Sequence, residues 1–165
     1  MKAINVIAVL LFAVSASAAQ AEYKQVNMTV FGMDCAPCAH AIHVSMMGIA
    51  GVTAVNVDLN TGLVSIALAP GNGADMRQFN KAVEQNGFTH KDAKVVVRGT
   101  ITGSAAAPFL EVSGTKDRYA LSPLGASVDV SGLLGKTVTV EGTVPQSKRG
   151  KVSDTLRYTT IEVAQ

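Results

Sequence analysis

The sequence predicts an α+β protein in two parts: a βαββαβ sandwich of the ferredoxin-like kind, then a small all-β barrel of OB-like type. Two observations carry the first part. Over residues 22–93, apolar residues recur alternately at strand and at helix spacing, and they do so in the order strand, helix, strand, strand, helix, strand. A change of texture near residue 93 carries the second part, because beyond it only short β-rich runs separated by Gly, Pro and Ser remain.

The elements follow in order. Residues 1–21 read as a secretory signal: Lys2, an apolar run from Ile4 to Val14, then small residues ending in Ala19-Gln20-Ala21, so that the mature chain starts at Glu22. The run is too short to span a bilayer. Export by this route predicts a periplasmic protein. Tyr23 to Phe31 alternates as a strand through Tyr23, Val26, Met28 and Val30. A helix is expected from about Pro37 to Gly48, with Ala39, Ile42, Met46 and Ile49 on one face. Val52 to Asp58 and Leu63 to Leu68 form a hairpin joined at Leu59-Asn60-Thr61-Gly62.

Asp75 and Gln78 make a capping box for a second helix, which buries Met76, Phe79 and Val83 and stops at Gly87. A last strand of this part begins at Phe88 or Thr89. These features define domain one as residues 22–93 and domain two as residues 94–165. In the second domain, strands are expected at Val95 to Thr102, Phe109 to Ser113, Arg118 to Leu121, Thr137 to Val144 and Arg157 to Val163. Leu133 to Lys136 is expected as a short turn before the fourth.

The chemistry concentrates in Gly32-Met33-Asp34-Cys35-Ala36-Pro37-Cys38. Cys35 and Cys38 are the only cysteines of the chain, so one pair has no competitor. A loop turning into a helix between two Cys brings both sulfurs onto one ion. A helix N-terminus favours the thiolate that metal binding requires. Soft thiolates select one ion such as Cu(I), Hg(II), Zn(II) or Cd(II). The same spacing also serves disulfides and thiol–disulfide exchange, which an oxidising compartment favours. The redox state of the pair therefore stays open.

This heptapeptide in the first βα loop, with Gly51-Val52 and Asn86-Gly87-Phe88 further on, resembles the signature of the heavy-metal-associated domain family. The likeness covers residues 23 to 93. It implies a ferredoxin-like fold and a metal carrier or scavenger rather than an enzyme, with Cys35 and Cys38 as ligands and a membrane metal transporter or other metal-accepting protein as partner. It also implies that Gly32, Met33 and Phe88 support the loop, Met33 by packing beneath it. Asp34 resembles the acidic residue of zinc, cadmium and lead modules, which makes it an accessory ligand for a divalent ion. His90 is a second accessory candidate. His40 and His43 point away from Cys38 at 100° per residue and read as a solvated helix face.

Other classes find little support. No Ser/His/Asp grouping, paired carboxylates or phosphate-cradling loop stands out, and Gly71-Asn72-Gly73 reads as a turn. Residues 94–165 hold nine Lys or Arg against six Asp or Glu, a net of +3, but only Phe109, Tyr119 and Tyr158 as aromatics. A single-stranded nucleic-acid site needs more stacking surface than that. Nucleic-acid binding is not expected.

Overall fold

A computed structural model describes residues 22–164, and the expected signal sequence at 1–21 lies outside them. The elements are β1 (Glu22–Phe31), α1 (Ala36–Met47), β2 (Val52–Asp58), β3 (Leu63–Leu68), α2 (Met76–Gln85), β4 (Thr89–Ser104), β5 (Ala107–Glu111), β6 (Arg118–Pro123), β7 (Thr137–Val144) and β8 (Thr155–Val163). A single 3-10 turn covers Ser131–Leu133, slightly ahead of the turn expected at Leu133 to Lys136. No helix among the described residues is long and apolar enough to cross a membrane.

The first part is the expected ferredoxin-like sheet, strand order β2-β3-β1-β4, with every neighbouring pair antiparallel. Its register aligns the apolar alternation: Val26 lies opposite Ile66 on one side and Val95 on the other, and Met28 opposite Val64 and Ala93. These side chains join Ile42 and Met46 of α1 and Met76, Phe79 and Val83 of α2 in one core cluster. The hairpin turn is held by Asp58, whose carboxylate accepts from Asn60 N–H at 2.9 Å and from Thr61 Oγ1 at 2.8 Å. The capping box of α2 is complete. Asp75 Oδ1 accepts from Gln78 N–H at 2.9 Å, and Gln78 Oε1 accepts from Asp75 N–H at 3.0 Å.

The two strands expected on either side of residue 93 are one strand of 16 residues, β4. Lys91-Asp92-Ala93-Lys94 reads as a polar interruption, yet the backbone keeps strand geometry through it, burying Ala93 and exposing its charged neighbours. A register irregularity between Met28 and Val30 of β1 absorbs the mismatch. The texture change thus marks a change of partners. β4 pairs with β1 through Arg98 and with β5 from Thr100, while β7 pairs along its other edge from Ala93 to Thr100. The remaining pairings run β5–β6, β6–β8 (parallel) and β8–β7, which returns the hydrogen bonding to β4.

Two sets of contacts bind the parts together. Tyr23 Oη donates to Asp117 Oδ2 at 2.6 Å and lies 2.6 Å from Tyr119 Oη, while Met76 N–H also donates to Asp117 Oδ2 at 2.8 Å. Burial raises the pKa of all three titratable groups, and the neighbouring charges push both tyrosines further up. Second, the β7–β8 loop lies along α2. Asn80 Nδ2 donates to Lys151 O at 3.3 Å, Arg149 Nη2 donates to Glu84 O at 2.8 Å, and Gly150 N–H donates to the Glu84 carboxylate at 3.0 Å.

Tyr23 is fully buried, so Tyr23→Phe removes one hydroxyl and strips both Asp117 and Tyr119 of a partner. The expected cost is about 1–3 kcal/mol in urea unfolding. A loss below about 0.5 kcal/mol would mean that Asp117 and Tyr119 close the network without Tyr23.

Candidate metal centre

The loop between β1 and α1 is built by three features of its sequence. Gly32 takes a positive φ of 83°, which turns the chain out of β1, and a Cβ there would meet Phe88 Cδ1 at 3.4 Å. Phe88 thus lies against the loop from the strand-entry side. Met33 then drops into the core and is 2% exposed. Asp34 and Cys35 are exposed.

Helix α1 begins one residue earlier than Pro37, at Ala36, with Cys35 as its N-cap in extended geometry (φ −141°, ψ 151°). The Cys35 Sγ accepts from the Cys38 N–H at 3.2 Å, the contact a capping Ser or Asp would make through oxygen. Pro37 fits the first turn, where its missing N–H has no intrahelical partner to lose. One helical turn therefore places Cys38, half-buried, directly beside Cys35. The two are joined as a disulfide, with Cα atoms 5.1 Å apart. In this oxidised form neither sulfur is a thiolate. Reduction by two electrons releases two thiols at a helix N-terminus, where the orphan N–H groups and the helix dipole favour deprotonation.

The accessory candidates differ in their surroundings. Among the described residues, no three His, Cys, Asp or Glu side chains come together as a metal cluster. Asp34 is adjacent to Cys35 in the chain and exposed. His90 sits on β4 opposite Val30, is 7% exposed, and has its Nδ1 2.8 Å from Lys91 O. His40 is exposed and His43 half-buried along α1. Close to the strand end, Lys91 Nζ lies 4.8 Å from the centre of the Phe31 ring.

Sequence reasoning missed the Tyr23–Asp117–Tyr119 network and the loop bound to Glu84. Their partners lie 41 to 96 residues apart, and no local pattern signals such contacts.

Residues 27–89 match the family model of the heavy-metal-associated domain. Over that segment the chain belongs to the heavy-metal-associated family, whose domains bind soft metal ions. Among solved structures, the chain is similar to the CopZ metallochaperone at 30% identity, covering 40% of this chain and 97% of that one, with a TM-score of 0.38. It is also similar to a copper binding domain from HMA7, a P-type ATPase (22% identity, 44% and 92% covered, TM-score 0.38). A third is oxidised MerP from Ralstonia metallidurans CH34 (20% identity, 42% and 94% covered, TM-score 0.38). No match is found among curated proteins.

Proposed function

We propose that the reduced protein carries one soft metal ion between Cys35 and Cys38 in the periplasm, as scavenger or carrier, and passes it to a membrane metal transporter or another metal-accepting protein. The observation that carries this reading is the thiol pair at the N-terminus of α1 within a heavy-metal-associated domain. Cu(I) is the first choice of cargo, because two thiolates satisfy it while Zn(II) asks for about four ligands. Hg(II) is served by the same pair. The closed circuit of pairings from β4 through β5, β6, β8 and β7 supports an OB-like barrel as the second part, with a docking role.

The test is an anaerobic titration of reduced protein with Cu(I) against a competing chelator. One ion per monomer is expected, and none in the disulfide form. A reduced protein that takes no ion from the competitor overturns the reading.

Asp34 is exposed beside Cys35 and free to turn toward a divalent ion. Asp34→Ala is therefore expected to weaken Zn(II) or Cd(II) at least about tenfold, roughly 1.4 kcal/mol, and to leave Cu(I) affinity nearly unchanged. Equal losses for both kinds of ion, or none, would make Asp34 a solvated loop residue.

The disulfide itself supports a second reading, thiol–disulfide exchange through an exposed Cys35. Turnover of a protein disulfide substrate by the metal-free protein would favour it. Absence of turnover together with metal binding leaves the carrier.

A further inference from the structure

At the end of α2 that carries its N-terminus, away from the cysteine loop in the chain, a cavity of about 220 Å³ opens between α2, the β5–β6 turn and the β7–β8 loop. Four cationic residues line it: Arg77, Lys116, Arg118 and Lys151. Arg118 is already engaged, with its Nε 3.2 Å from Glu111 and its guanidinium 3.9 Å above the Phe109 ring. That is the one ion pair among the described residues, so Arg77, Lys116 and Lys151 have none. Of the two carboxylates lining the cavity, Asp117 is turned inward, its Oδ2 taken by the Tyr23 hydroxyl and the Met76 N–H. The other, Asp154, is exposed and accepts from its neighbour Thr155 Oγ1 at 3.2 Å.

Arg77, Lys116 and Lys151 are exposed and reach this cavity from three separate chain segments, and the positive end of the α2 dipole adds to their field. Such a field favours an anion over a cation. The adjoining cavity, about 170 Å³, shares Arg77, Gly150, Lys151 and Val152 with the first. Asn80 lines it, is 5% exposed, and leaves its Oδ1 without a partner. This acceptor is closed off from the cavity and offers nothing to an oxyanion, so it takes no part in the anion site. The main cavity, about 220 Å³ and open to solvent, admits a phosphate group.

We propose that this cavity binds a small multivalent oxyanion of the phosphate type, held by Arg77, Lys116 and Lys151. The site is independent of the cysteine pair, so it stands or falls apart from the metal titration.

The test is calorimetric titration of the full chain with inorganic phosphate at low ionic strength, with chloride of matched ionic strength as reference. One saturable site is expected, together with chemical-shift changes in the amides of Arg77, Lys116 and Lys151. The Arg77→Gln, Lys151→Gln double variant should lose at least tenfold in affinity. Lys24→Gln, on the exposed side of β1, should stay within twofold of the parent. No saturable phosphate binding overturns the proposal. So does an equal loss from Lys24→Gln, which would mean that the effect is one of overall charge.

Discussion

Replacing both Cys35 and Cys38 by serine is expected to abolish Cu(I) binding against a competing chelator, a loss of at least about a thousandfold, or roughly 4 kcal/mol. The size of the effect follows from the donor count. The chain holds two cysteines, and the described residues offer no cluster of three His, Cys, Asp or Glu to replace them. A serine hydroxyl is a hard donor that keeps its proton at neutral pH, so it cannot substitute for a thiolate toward a soft ion. The fold should survive, because the N-cap position held by Cys35 suits serine at least as well. Circular dichroism should therefore be unchanged while binding disappears. Affinity retained within threefold of the parent would place the metal elsewhere.

The largest loss of stability is expected from Phe79→Ala. Phe79 is fully buried on α2 and meets Tyr23 edge to face, with ring centroids 6.2 Å apart and planes at 80°. Truncation removes a whole ring from the core cluster and the contact that packs Tyr23. The expected cost is about 3–5 kcal/mol in denaturant unfolding. Val44→Ala is the control: Val44 is 54% exposed on α1, and its truncation should stay within about 0.5 kcal/mol. A Phe79→Ala loss under about 1.5 kcal/mol would mean that the helices settle into the space.

Local patterns made much of this legible. β2, β3 and β7 begin and end where their alternation does, because Gly62 and the residues flanking each run supply definite stops. The capping box fixed the start of α2 through a two-residue contact that is visible in the sequence. β5 and β8 were misplaced at their ends. β5 stops at Glu111 because Val112 turns to accept from Thr115 N–H, and β8 starts at Thr155 through its parallel pairing with β6. The continuity of β4 depends on β7 arriving from more than forty residues away to hold its polar middle. The metal loop was legible in its residues and spacing, since the thiols are three apart in one helical turn. Its oxidised state was not, because redox state belongs to the pair and its surroundings together.

The pairing of β7 along β4 also bears on how copies of this chain meet one another. In a four-stranded sheet ordered β2-β3-β1-β4, both outer strands present unpaired N–H and C=O groups to any passing strand, and such rows template intermolecular growth. Here β7 covers one of those rows from Ala93 to Thr100, and the circuit of pairings that follows returns to β4 without adding a new open end. What remains on that sheet is β2, seven residues long and irregular in register between Val52 and Ala54. A short, kinked strand is a poor seed for fibres. The second part of the chain thus acts as a selvedge, finishing one border of the four-stranded sheet.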